Sequence, residues 1–249
     1  MGKNRGIRLN CFSPPVMLAT LTIETGLAVY TFWRYEMSVL TRLVVIALAM
    51  LATFQLAEYF VCTGYGLNAE QWSRLGFVAI TTLPPLGLHI LHRLADKPRR
   101  KLIAGAYVSM AGFIGLFLSY QTAFIGHACT GNYVIFQIGN SVAGLYGLYY
   151  YGWLFTGMAL GIRWANELRA KAKTGRIKLE AVRALIIGYL VFLVPTALAN
   201  TINPSSRRGI PSIMCGFAVL FALILVLYIM PRVGEPKPLT NRLDQLRLR

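Results

Sequence analysis

VLTRLVVIALAMLATFQLAEYFVC, residues 39 to 62, decides the fold class. A bilayer's hydrocarbon core is roughly 30 Å thick and takes about 20 predominantly apolar residues to cross as a helix. This run meets that length with Arg42 near its start and Glu58 near its end. Gln55, Glu58 and Cys62 recur at i, i+3 and i+7, so a helix sets them on one face. At about 1.5 Å per residue, Glu58 lies roughly 6 Å below Cys62.

Working outward, comparable apolar runs occur near 14–33, 75–92, 102–125, 133–162, 181–202 and 210–231. With 39–62 they predict an all-α, polytopic bundle of seven transmembrane helices in one domain, residues 1–231, followed by a basic cytoplasmic tail, 232–249. The composition agrees. Of 249 residues, 56% are hydrophobic and only 14% charged, against roughly 25% charged in an average soluble domain. Mean hydropathy is +0.55. The fifth run is too long for one perpendicular crossing, so either it tilts or its first turns, near Tyr133 to Asn140, stand proud of the bilayer or fold over it. Trp33, Trp72 and Trp164 fall at predicted span ends, where amphipathic rings favour the headgroup region.

Basic residues orient the bundle. Nineteen of the 25 Lys and Arg lie in the 1–2, 3–4 and 5–6 loops and the C-terminal tail, including Arg93 to Lys101, Arg163 to Arg183 and Arg232 to Arg249. Six lie on the other side: Lys3, Arg5, Arg8, Arg74, Arg207 and Arg208. The positive-inside rule then places the N-terminus outside and the C-terminus in the cytoplasm. The net charge of +16 reflects basic loops attracted to anionic headgroups, not nucleic-acid binding. The lipid bilayer is therefore the expected partner, and the basic loops and leucine-bearing tail can also dock a protein. The first run contains Pro14, Pro15 and Glu24 and exceeds a signal-peptide core, so it reads as a retained helix. A bacterial inner membrane is the expected location.

This topology puts Cys11, Cys62, Cys129 and Cys215 at the outer end. An oxidising compartment favours one or two disulfides among them, with three possible full pairings. Buried free thiols are one alternative. A metal site is the other, with Cys62, His127 and Cys129 as candidate ligands and Glu58 one turn below Cys62.

Intramembrane polar groups point to function, because a charge in hydrocarbon costs several kcal/mol, about 2.5–3.5 on insertion scales. Only Glu24 and Glu58 of the nine acids lie inside predicted spans. Gln55, Gln121, Gln137, Asn140, Asn200 and Thr201 join Glu58 in outer halves, which predicts a polar pocket open to the outside with Glu24 at its floor. An interhelical hydrogen-bond network is the alternative reading. Pro84, Pro85 and Pro195 are expected to kink their helices. Gly144, Gly147, Gly152, Gly157 and Gly161 line the fifth helix and suit close packing. Tyr146, Tyr149, Tyr150 and Tyr151 read as lipid-facing or core aromatics. No Lys lies within a span, which excludes a retinal Schiff base, and no two His lie at matching depth on facing helices, as bis-histidine haem needs. His89 and His92 are expected to snorkel to the inner interface.

Cys11-Phe12-Ser13, the stretch from Val29-Tyr30-Thr31 to Arg34, Gln55-x-x-Glu58 and Met214-Cys215-Gly216-Phe217-Ala218 resemble a family of small bacterial seven-helix membrane proteins. That family opens with Met-Cys-Phe-Ser and has no assigned function. The resemblance covers the first two helices and the last, implies the seven-helix fold and supplies no chemistry. Glu24 and the ten residues before Cys11 depart from the family's pattern.

Three functional classes fit. The chain binds or senses a small ligand or ion in the outer pocket, or it is a structural subunit of a larger membrane complex. Alternatively it is a membrane-embedded metal-dependent enzyme using Glu58 as acid or base. Residue patterns identify no cofactor.

Overall fold

In a computed structural model, which describes residues 14–120, 123–129, 134–170, 175–202 and 209–238, the 39–62 run is a single helix, α2, Val39–Thr63. The Ser38 hydroxyl accepts the Thr41 N–H at its start. Gly64, with φ of 70°, closes it by donating its N–H to the Phe60 carbonyl, a left-handed geometry that glycine adopts without a Cβ penalty. α1, Pro14–Arg34, packs along α2, and α5, Arg100–Ser119, flanks the bundle. α6, Asn140–Ala170, is the longest helix and neighbours α7, Arg176–Ile202. α8, Ile210–Leu223, continues through a π-helical turn, Ile224–Ile229, into α9, Met230–Val233.

Among the described residues, six helical stretches are long and apolar enough to cross a membrane: Pro15–Arg34, Val39–Thr63, Ala69–Ala95, Arg100–Ser119, Arg176–Ile202 and Ile210–Val233. α6 falls outside that set, with Arg163, Glu167 and Arg169 in its closing turns. The outward faces of α1 and α5 are apolar, exemplified by Phe32, Val108 and Leu118, and suit contact with lipid.

The third predicted run is two helices, α3, Ala69–Thr81, and α4, Leu83–Ala95. Pro84 and Pro85 carry no N–H, so the carbonyls of Ile80 and Thr81 lose their regular i+4 donors. The Tyr149 hydroxyl donates to the Thr81 carbonyl at 2.6 Å, and the Thr82 hydroxyl donates to Ala79 at 2.7 Å. The freed Thr81 carbonyl is thus met by a side chain and that of Ile80 by the Thr82 N–H, where apolar surroundings offer neither a partner. Pro195 acts differently: α7 runs through it unbroken.

Residues 134–138, read above as the start of a helix, are a strand. β1, Phe124–Cys129, pairs antiparallel with β2, Val134–Ile138, with His127 opposite Phe136. Val134 and Phe136 turn inward while Gln137 is exposed, the two-residue alternation of a half-buried strand. A Cys62–Cys129 disulfide ties the hairpin to the end of α2, and the Val134 N–H donates to the Ser212 hydroxyl at the start of α8. At the opposite end, Lys97 pairs with Glu167, Lys178 with Asp96, and Glu36 donates its N–H to Glu235. Successive helix ends therefore alternate between two faces.

Three expectations change. Trp72 and Trp164 are buried against protein, and only Trp33 stands exposed. His92 does not snorkel: its Nδ1 bonds the Leu88 carbonyl at 2.7 Å and its ring lies edge-on to Trp164. Of the α6 glycines, Gly157 and Gly161 pack against neighbours, whereas Gly144, Gly147 and Gly152 face open space.

α7 meets α8 through Gly188, where an added Cβ would lie 2.5 Å from Phe221. Phe221 is stacked on Tyr189 and edge-on to Phe192, so it has no free direction to move. Gly188→Ala should therefore cost about 1–3 kcal/mol and lower the Tm, read by thermal unfolding in detergent. Gly144→Ala, with nothing near its Cβ, should leave the Tm unchanged or raise it.

Candidate functional site

α1 presents a polar stripe to the protein. Met17, Thr20, Glu24 and Thr31 are buried on one face while the rest of the helix is largely exposed. The Thr20 and Thr31 hydroxyls bond carbonyls of their own helix. Glu24 has no such recourse: it is fully buried, and neither carboxyl oxygen has a hydrogen-bond partner among the described residues. From α2 come Gln55 and Glu58, 2% and 1% exposed, with the Gln55 amide nitrogen and one Glu58 oxygen also unpartnered.

The third wall is the first turns of α8. Ser212 lies beside the Glu58 carboxyl, and Cys215, buried and free, lies within electrostatic reach of both Glu58 and Glu24. The two carboxyls are in reach of each other. Most buried polar atoms in proteins find partners, so an amide and two carboxyls left wanting at one helix junction are exceptional. Chemically, the cluster offers two carboxyls, one amide, one hydroxyl and one thiol. That set suits a positively charged or hydrogen-bond-donating guest.

The structure thus unites Glu24, Gln55 and Glu58 and adds Ser212 and Cys215. Cys215 entered the sequence reading as a disulfide candidate, but it is a buried free thiol. Ser212 carried no signal in sequence, because a serine at a helix start reads as a cap. Gln137 is exposed on β2 at the rim of a different cavity, and Asn200 sits half-buried in the last turn of α7. Thr201 is exposed. Asn140 begins α6. Gln121 and Cys11 lie outside the described residues.

Cys62 and Cys129 are bonded to each other, so neither sulfur is a thiolate ligand and the metal set is reduced to an exposed His127. Among the described residues no group of three or more His, Cys, Asp or Glu converges as a metal site. Neither a scan against protein-family models nor a search of curated proteins finds a match to this chain.

The disulfide closes a loop spanning 67 residues and anchors the hairpin over the bundle. Loop-closure entropy predicts that Cys62→Ser lowers stability by about 2–5 kcal/mol. Dithiothreitol should produce the same drop in Tm in the wild type and none in the variant, read by thermal unfolding.

Proposed function

We propose that this chain is a multi-pass membrane protein that binds a small positively charged ligand, an inorganic cation or a compact amine, at the Glu24–Gln55–Glu58–Ser212–Cys215 junction. One observation carries the reading: two buried carboxyls, on α1 and α2, have oxygens without partners among the described residues and lie within electrostatic reach of each other. Such groups are retained in apolar surroundings where they meet a partner or a guest. Sensing follows if the guest draws the three helices together, since a ligand favours whichever arrangement it binds more tightly. The enzyme reading loses its support with the Cys62–Cys129 bond, which occupies both candidate thiolates.

Seven crossings accommodate this site, with α3 and α4 forming one broken pass and α6 the fifth. The N-terminus is then outside, the C-terminus cytoplasmic, and the membrane a bacterial inner membrane. The disulfide supports that orientation, because disulfides persist on the oxidising side of a membrane. So do the ion pairs of Lys97, Asp96, Glu167 and Lys178 at the opposite, more basic end. The motif resemblance to the Met-Cys-Phe-Ser family fits the same arrangement.

Binding is tested by the Tm of the purified protein in chlorides of sodium, potassium, magnesium and calcium, and of methylammonium. At about 100 times its Kd, the preferred cation should stabilise the fold by about 2.7 kcal/mol. Glu24→Gln combined with Glu58→Gln should abolish the shift. A wild-type Tm indifferent to every cation, or a shift that survives the double substitution, would refute the proposal.

Orientation is tested separately with a membrane-impermeant maleimide. After reduction of intact cells with an impermeant phosphine, Cys62 and Cys129 should label, while Cys215 should label only after denaturation. Labelling of Cys62 and Cys129 that requires lysed cells would reverse the topology.

A further inference from the structure

Beneath the hairpin, between β2, α6 and the start of α8, lies a cavity of about 600 Å³. That is within the roughly 300–1,000 Å³ of sites that hold drug-sized molecules. It is separate from the carboxyl junction: neither Glu24, Gln55 nor Glu58 lines it, and none of the described residues that line it is charged. Its walls are aromatic and aliphatic, with Phe77, Phe136, Tyr146 and Tyr150 presenting rings and Met214 an adaptable thioether.

Four polar side chains break this apolar lining: Gln137, Tyr146, Tyr150 and Tyr151. The exposed Gln137 stands at the mouth. Deeper in, the Tyr146 hydroxyl is engaged by Thr81, but the hydroxyl of buried Tyr150 makes no hydrogen bond among the described residues. Tyr150 and Met214 also bound a second, water-sized cavity of about 30 Å³ that Cys215 lines. An anionic or cationic guest in the larger cavity would meet no counter-charge among the described residues that line it. An uncharged one loses only its contact with water, and a carbonyl or hydroxyl on it can reach Tyr150.

We propose that this cavity binds an uncharged, ring-bearing amphiphile, a mostly apolar molecule with a carbonyl or hydroxyl that pairs with the Tyr150 hydroxyl. The rings of the wall stack on the guest, and the hairpin, held by the Cys62–Cys129 bond and by Val134 on Ser212, forms its roof. The site stands independently of cation binding at the carboxyl junction.

Gly147 supplies a clean test. It lines the cavity, yet a Cβ there would meet nothing within 4 Å, so Gly147→Phe fills the space without disturbing the helix. Equilibrium binding of radiolabelled progesterone, an uncharged four-ring ketone, is measured on the full chain in lipid nanodiscs, with empty nanodiscs subtracted. Saturable binding of one molecule per chain is expected, weakened at least about tenfold by Gly147→Phe and by about five- to tenfold by Tyr150→Phe. Pregnenolone sulfate, its anionic relative, should compete at least about tenfold more weakly than unlabelled progesterone. The Glu24→Gln, Glu58→Gln protein should bind progesterone as the wild type does, which separates this site from the cation site. Absence of saturable binding, wild-type affinity in Gly147→Phe, or equal competition by the sulfate would overturn the proposal. Wild-type affinity in Tyr150→Phe would remove the hydroxyl from it, and loss of binding in the double variant would remove its independence.

Discussion

Apolar surroundings supply no hydrogen bonds, and this constraint governs the structure from backbone to site. Helices satisfy it by pairing their own amides and carbonyls. Where Pro85 interrupts that pairing a side chain repairs it, the Tyr149 hydroxyl bonding the freed Thr81 carbonyl. Threonine hydroxyls elsewhere fold back onto their own helices, as Thr20, Thr31 and Thr53 do. Against such thorough satisfaction, the unpartnered atoms of Glu24, Gln55 and Glu58 gain their meaning.

The outer end of the bundle is organised around one covalent bond and one short helix turn. The disulfide carries the hairpin onto α2. Ser212 joins that hairpin to the carboxyl junction, because it accepts from Val134 and lies beside Glu58. Met214 and Cys215 follow on the same turn, one facing the large cavity and the other the carboxyls. The π-helical turn further along that helix, with Leu225, Val226 and Ile229 buried, adds an irregularity of a kind that often marks functional helices.

How far the site was legible can be judged residue by residue. Gln55 and Glu58 follow from helical periodicity alone, and Glu24 from the cost of an acid in an apolar run. Their meeting does not follow, since α1 and α2 must lie side by side and α8 must close against both. Gln137 was misjudged for a different reason. A short apolar run does not distinguish strand from helix by pattern, and the strand turns that side chain outward. The cysteines show a similar limit: depth grouped them, but only geometry pairs Cys62 with Cys129 and leaves Cys215 free. His92 and Trp164 were placed at an interface by their position along the chain, yet they pack on each other within the protein.

By itself, the sequence determined the helical class, most helix limits and the rarity of acids inside the apolar runs. These depend on composition and period within a single segment, where local physics suffices. Tertiary structure alone decided the hairpin, the disulfide partner, the break at Thr81–Thr82 as a repaired discontinuity, and the gathering of Glu24, Gln55, Glu58, Ser212 and Cys215. Those features depend on which helices become neighbours and on how each is rotated. Contacts between segments far apart in the chain leave no periodic trace in either one.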